Sequence, residues 1–323
     1  MYDIISIGSA TRDVFLGAEG LKVIKSTDVT TGEALELGLG SKLEIKKLVL
    51  ASGGGGANVA VTFARQGFKT ACISVVGNDS NGQDVIRELE TEGIDTKFFQ
   101  KHEDDLTAYS VILVHPSGER TILSYKGEGQ HFETSKVPFT QLQSKWLFLS
   151  SLGGHYDLLE QAVSWAVANN IKIATNPGGK ELALGLEKLK PVFKHFSVVV
   201  MNQEEAANLT GIPYDNEQEI FKLMDSLIDG IFVMTKGPHG AVVSDGQKIY
   251  SAGVPDSPIV ERTGAGDAFS SGFVSEYIRS NDIVKAIQLG TANASSVVTQ
   301  YGSRAGILKQ GDQGQWPLVK VEA

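Results

Sequence analysis

The sequence predicts a three-layer α/β fold: a mostly parallel central sheet between helices, with a small β-sheet lid at one edge. Three observations carry this. Short apolar runs rich in β-formers alternate with helical patterns along most of the chain, the order that builds a parallel sheet with both faces covered. Two segments, 15–51 and 97–130, break that rhythm and read as strands with no clear long helix. Glycine is 36 of 323 residues, and it clusters at strand-to-helix junctions, where backbone approaches a ligand.

Taken in order, Asp3–Gly8 (DIISIG) is a buried strand. Gly53–Gly56 precede a helix over 57–66, with Gly67 just past its end as a C′ cap. Thr70–Val76 is a strand, and a helix over 83–92 is closed by Gly93. Trp146–Ser150, Ile171–Thr175, Ser197–Met201 and Ile231–Thr235 are further buried strands, with helices near 156–169, 181–189, 203–209 and 216–229 beside them. Within the irregular segments, Leu43–Leu50 reads as strand, and Tyr109–His115 and Thr121–Tyr125 flank the turn signal Pro116-Ser117-Gly118. The expected division is a core of 1–14, 52–96 and 131–323 that holds a nucleotide site, and a lid of 15–51 and 97–130 over a substrate site.

Composition excludes several classes. Lys and Arg number 29 against 38 Asp and Glu, a net charge of −9, which argues against a dedicated nucleic-acid binder. No apolar run approaches the ~18 residues of a membrane helix. The start Met1-Tyr2-Asp3-Ile4-Ile5 lacks a basic leader, so a cytoplasmic protein is expected. The single Cys72 allows neither an internal disulfide framework nor a cysteine-only metal site, and within a strand it reads as core. His102, His131 and His195 have no metal-ligand spacing and read as surface residues.

Four places carry candidate chemistry. In Thr263-Gly264-Ala265-Gly266-Asp267, the glycines open a helix whose apolar stripe begins Phe269, Phe273, Tyr277. Free N–H groups and the helix dipole make such a start an anion site. Asp267 in the first turn is either a general base beside it or simply an acid favoured at that position. In Ser52-Gly53-Gly54-Gly55-Gly56-Ala57-Asn58, the spacing is not that of a dinucleotide fingerprint, no strand leads immediately into it within a clear βαβ unit, and Asn58 either bonds a polyol or caps the helix. Asn202-Gln203-Glu204-Glu205 follows a strand and reads as a capping box or as part of a ligand site at the strand's carboxyl end. Thr235-Lys236-Gly237-Pro238-His239-Gly240 is a tight hairpin turn or a nucleotide contact.

Together and in this order, the motifs resemble the ribokinase-like (PfkB) carbohydrate kinase family over nearly the whole chain. The resemblance implies that Asp13, after the first strand and its turn, binds substrate, as do Gly53, Gly54 and Asn58 of the first signature. It ties Asn202 and Glu205, the N-x-x-E motif, to phosphate and to magnesium, with Glu205 the metal-associated residue. Thr235 and Gly237, with Gly240 and Asn293, are assigned to the nucleotide. Gly264, Ala265, Gly266 and Asp267 match the second signature, an anion hole followed by the catalytic base. ATP and Mg²⁺ are therefore expected, with a small sugar or nucleoside as partner, no nucleic acid, no membrane, and a homodimer through the β lid.

The implied reaction is γ-phosphoryl transfer to a substrate hydroxyl. A nucleoside kinase is the alternative, for which Phe98, Phe99, Tyr109 and Tyr125 offer aromatic faces if they are not simply strand packing. A non-catalytic sugar-binding regulator is a further one. Two departures stand out. Members close to ribokinase carry Lys where this chain has Gly55, which removes a donor and leaves room, so ribose itself is not implied. The family's usual Asp-Thr-Thr before the second signature is Glu261-Arg262-Thr263 here. The first Asp of that stretch helps bind a monovalent cation, and a fixed charge from Arg262 in its place leads us to expect weakened potassium dependence.

Overall fold

The computed structural model describes residues 1–18, 20–29, 32–115, 117, 119–127 and 131–323. The first apolar run forms β1 (Tyr2–Ile7), and the chain then leaves the core for β2 (Thr11–Ala18), a short β3–β4 hairpin (Lys22–Lys25, Glu33–Glu36) and β5 (Ile45–Gly53). It returns through α1 (Gly55–Arg65), β6 (Thr70–Ile73), β7 (Val75–Gly77) and α2 (Ser80–Thr91), and β8 (Gln100–His102) pairs with β7. A second excursion supplies β9 (Tyr109–Val114) and β10 (Arg120–Tyr125). Their antiparallel register, Tyr109 opposite Tyr125, is the predicted hairpin; Pro116 and Gly118 of its turn lie outside the described residues.

The rest alternates strand and helix: β11 (Ser144–Leu149), α3 (Tyr156–Ala168), β12 (Lys172–Thr175), α4 (Gly179–Leu182), α5 (Leu186–Phe193), β13 (Val198–Asn202), α6 (Gln203–Thr210), α7 (Glu217–Asp225) and β14 (Ile231–Thr235). Two antiparallel strands follow, β15 (Ala241–Ser244) and β16 (Ile249–Ala252), then α8 (Ala265–Ser280), α9 (Ile283–Val298) and β17 (Val321–Glu322). The large sheet runs β17-β16-β15-β14-β13-β12-β11-β1-β6. From β6 to β14 it is parallel; the tight turn after β14 can only send the chain back antiparallel.

Alternate residues of one strand feed two cores. Ile5, Leu147, Val199 and Phe232 pack under Leu158 of α3, Leu189 of α5 and Phe221 of α7. Ile4, Phe148, Val200 and Val233 pack under Phe63 of α1, Phe273 of α8 and Ile287 of α9. This is why the strands read as unbroken apolar runs. Cys72 is among the buried residues, as expected, and burial pushes its thiol up to about 11.

The small sheet runs β10-β9-β2-β5. One face carries Asp13, Phe15, Val49, Ala51, Ser110 and Ile112, the other Val14, Leu16, Leu48, Leu50, Val111 and Leu123. Phe15 and Ile112 are buried with Tyr301, whereas Leu48, Leu50 and Leu123 are exposed.

Several expectations change. Asp13, placed after the first strand's turn, lies inside β2, because the small sheet takes its third long strand from 11–18. A strand does lead into the glycine run: β5 ends at Gly53, one residue before α1 begins to form. The helix read over 181–189 is two, broken at Gly185, whose φ of 86° no helix accepts. That read over 216–229 ends at Asp225. His102 is not a surface residue; its imidazole is largely covered and sits 3.2 Å from Glu133 Oε1. His131 and His195 are exposed. No described helix is long and apolar enough to cross a membrane.

Candidate active site

The carboxyl ends of β1, β13 and β14 open on one side of the sheet, and the segments that follow them carry Asp13, Asn202 with Glu205, and Gly237 with Gly240. That is where open α/β sheets bind ligands. The small sheet covers the same side with the face that carries Asp13.

Asp13 is 4% exposed and its Oδ1 accepts a hydrogen bond from Thr11 Oγ1 at 2.9 Å. Burial pushes its pKa up, opposed by Thr11, Ser110, Arg304 and Arg12. Gly53 lies opposite: a Cβ there would overlap Asp13 Oδ2 and stand 2.9 Å from Thr11 Oγ1. The glycine therefore makes the room the carboxylate occupies. A side chain at Gly55 would run into Ser150 Oγ and pass 3.4 Å from Asp267 Oδ1. The Gly55 position thus borders the Asp267 carboxylate.

Asp267 is the third residue of α8 and half-buried. Its Oδ2 accepts from Asn58 Nδ2 at 2.9 Å. Burial raises its pKa and the nearby Asp13 charge adds to that, while the Asn58 hydrogen bond and the Arg304 charge oppose both. A carboxylate with raised basicity at a helix start can take a proton from a hydroxyl brought to it. Gly264 caps α8 in the left-handed region with φ 82°, and a Cβ there would lie 2.5 Å from Ser303 Cβ. Of the proposed anion-hole donors, the Ala265 N–H is turned to Arg262 O at 3.3 Å. The N–H groups of Gly266 and Asp267 have no acceptor within the helix by its geometry.

On the other side of Ala265 lies a mostly apolar cavity of about 580 Å³, lined among others by Gly237, Pro238, Val254, Ile259, Ala294 and Val298. It joins the predicted nucleotide turn to the helix start. Gly240 closes that turn with φ 89°, and the Lys236 N–H donates to its carbonyl at 2.7 Å. Thr235 is the last residue of β14, beside Asn202 in register. A larger polar recess of about 690 Å³, lined by Lys172, His195 and Ile231 among others, sits at the amino ends of the strands, the wrong end for this kind of sheet. Asn293, assigned from sequence to the nucleotide, is placed differently. It is fully buried, donating to Ala268 O and accepting from Leu308 N, both at 2.8 Å. Its amide is used up in the core, and it is the next residues, Ala294 and Ser295, that line the cavity.

Asn202 and Glu205 form the capping box: Asn202 Oδ1 accepts from the Glu205 N–H and Glu205 Oε2 from the Asn202 N–H, each at 2.8 Å. Burial raises the Glu205 pKa, and the charges of Glu204 and Asp267 raise it further against the Asn202 hydrogen bond. The capping role is present, and the carboxyl stands close enough to Asp267 for the two charges to interact.

Glu261 is 1% exposed; its Oε1 accepts from the Thr263 N–H at 2.6 Å and from Thr263 Oγ1. The cation beside it is Arg120 of β10, whose Nε is 3.3 Å from Oε1. Arg262 instead reaches out to Glu119 at 3.1 Å. The sequence places the fixed charge on the wrong arginine, because only the fold brings β10 over this loop. Two further site residues carry no motif signal: Ser303 and Arg304, both buried, donate to Asn58 Oδ1 at 3.0 Å each. Nothing in the local sequence marks either.

The comparisons with known proteins give the family of the chain. A family model described as pfkB family carbohydrate kinase matches residues 4–310. The chain is similar to a ribokinase of Haemophilus influenzae, 30% identical over 273 residues, covering 83% of this chain and 88% of the relative. A deoxyribokinase of Salmonella typhi is 27% identical over 275 residues, 82% and 87% of the two chains. The crystal structure of adenosine kinase from Sinorhizobium meliloti shares the fold, with a TM-score of 0.77 at 23% identity over 94% and 95% of the two chains. Family and relatives together define a phosphotransferase with an alcohol group as acceptor. The chain belongs to the pfkB family of carbohydrate kinases.

Proposed function

We propose that this protein is an ATP-dependent sugar kinase, with Asp267 as general base and the first turn of α8 as anion hole. The observation that carries the reading is the position of the Asp267 carboxylate. It stands between the Asp13 face of the small sheet and the apolar cavity beyond Ala265, tied to Asn58 and beside helix N–H groups. Phosphoryl transfer asks for positioning and charge neutralisation more than covalent chemistry. Asp267 takes the proton of the attacking hydroxyl. The N–H groups of Gly266 and Asp267 face charge that grows on the phosphoryl oxygens. The small sheet closes over the acceptor and excludes water. Asp13 and Asn58 hold its other hydroxyls, and the cavity beside Gly237 takes the adenine.

The donor set fits magnesium of one kind. Glu205 brings a hard carboxylate near Asp267, while no described cluster of three His, Cys, Asp or Glu residues forms a full protein cage. Magnesium commonly keeps waters and substrate phosphates as its ligands; Glu205 and Asn202 would hold that assembly from the protein side. When bound, the ion neutralises phosphate charge.

A sugar is favoured over a nucleoside by where the aromatics go. Phe98 packs edge-on against Tyr2 with centroids 6.4 Å apart, and Phe99 packs on a core cluster. Tyr109 and Tyr125 lie on the face of the small sheet opposite Asp13. None of these four rings offers a stacking face to the Asp13 side, where Phe15 is fully buried and the Tyr301 ring packs on its cluster under the Lys47 ammonium at 3.9 Å. A screen of ADP release over pentoses, hexoses, keto-deoxy sugar acids and nucleosides tests this: turnover with a sugar is expected, and turnover with nucleosides alone would overturn the sugar assignment.

Arg120 also bears on the monovalent cation. With its guanidinium against buried Glu261, the loop before the anion hole already has its positive charge. Turnover at constant ionic strength is expected to be insensitive to potassium. Strong activation by potassium over a large organic cation would show that Arg120 does not serve this purpose.

A further inference from the structure

Arg304 carries no motif signal, yet it is a buried cation of the site; Arg12, buried beside α2, is the other that acts on Asp13. The Arg304 Nε donates to Asn58 Oδ1 at 3.0 Å and a terminal N–H to Gly53 O at 3.1 Å. Ser303 Oγ donates to the same Asn58 oxygen. Two donors on the oxygen leave the amide one way to face, with its NH₂ toward Asp267 Oδ2. The nearby acids Glu88 and Glu92 are engaged elsewhere, with Arg12 at 2.5 Å and Arg65 at 2.6 Å. Burial lowers the Arg304 pKa to about 10, still charged at neutral pH. Its charge acts on those two acids and also on the Asp13 and Asp267 carboxylates, where it favours the ionised form against burial.

We propose that Arg304 is a positioning residue for the phosphoryl transfer: by holding the Asn58 oxygen it aims the Asn58 amide N–H at the Asp267 carboxylate and fixes that carboxylate in place. This rests on the reading of Asp267 as the base. A chain Arg304–Asn58–Asp267 turns one guanidinium into both an orienting and an ionising group. Asp267 meets Asn58 from α1, Asp13 from β2, Arg304 from the loop after α9 and, further off, Glu205 from α6. Of these only Arg304 is positive, so its loss moves the base in one direction, upward.

The test compares Arg304→Gln and Arg304→Lys with Asp267→Asn and wild type. It reads ADP release from ATP and the acceptor found by the screen, as a function of pH, with thermal unfolding of each protein. Arg304→Gln is expected to lose about 10- to 100-fold in kcat. Its acidic limb should move up in pH, with KM for ATP unchanged. Arg304→Lys keeps the charge, so the limb should stay near wild type. Its kcat should still fall, because one ammonium cannot span Asn58 Oδ1 and Gly53 O as the planar fork does. Wild-type kcat and an unmoved limb in folded Arg304→Gln overturn the proposal. If that variant does not fold, wild-type kcat in Arg304→Lys overturns it. Inactive Asp267→Asn beside unaffected Arg304 variants removes the Arg304 role alone, whereas near-wild-type turnover by Asp267→Asn removes the base assignment beneath it.

Discussion

Replacing Asp267 with Asn is expected to cost about 10² to 10⁴ in kcat, the range a positioned general base supplies, and to leave the fold intact. The amide keeps the shape and can still accept from Asn58, so only proton affinity is removed. Stability supplies the control, with a definite sign. Burial and the Asp13 charge raise the folded-state pKa of Asp267, so the ionised carboxylate costs stability at pH values above that pKa. Asn carries no such cost. The variant should therefore unfold at a temperature equal to or above wild type at neutral pH, and the difference should shrink as pH falls and the wild-type carboxyl protonates. A variant that is both inactive and strongly destabilised would point to a structural role instead.

Replacing Gly53 with Ala should strike the acceptor side of the site and spare the nucleotide side. The added Cβ would overlap Asp13 Oδ2 and crowd Thr11 Oγ1, so the carboxylate must leave its place. Loss of a charge-assisted hydrogen bond to a substrate hydroxyl is worth about 10- to 100-fold in affinity. That loss should appear as a raised KM for the acceptor with KM for ATP near wild type. Asp13→Ala should reproduce it, and combining the two should add little, since both remove the same group. Fully additive losses in the double variant would show that Gly53 acts on something other than Asp13.

Much of this site was legible in the sequence because its parts are local. A helix start with Gly264, Gly266 and Asp267 in four residues needs no tertiary knowledge, and neither does the N-x-x-E capping box, whose spacing is set by one helical turn. The parallel strands were equally plain, since burial on both faces makes them apolar throughout. What escaped depends on distance along the chain. Asn58 and Arg304 are 246 residues apart, and no spacing rule connects them. Arg120 reaches Glu261 only because β9 and β10 fold over the core, so the neighbouring Arg262 was the natural guess. Helix α9 stayed hidden because Thr291, Asn293, Ser295 and Ser296 interrupt its apolar stripe of Ala286, Ile287 and Val297. Asn293 is tied to the nucleotide by the family resemblance alone; its partners, Ala268 and Leu308, come from a neighbouring helix and the loop after α9, and nothing local in the sequence announces them.

The central claim is that this chain moves a phosphoryl group from ATP to a sugar hydroxyl with Asp267 as the base. Phosphorus NMR of wild type and Asp267→Asn, each incubated with ATP, magnesium and the sugar selected by the screen, tests it most directly. The account predicts ADP and a sugar phosphate monoester in equal amounts from wild type, and almost none of either from Asp267→Asn over the same time. Inorganic phosphate in place of the monoester, or monoester from Asp267→Asn at close to the wild-type rate, would contradict it.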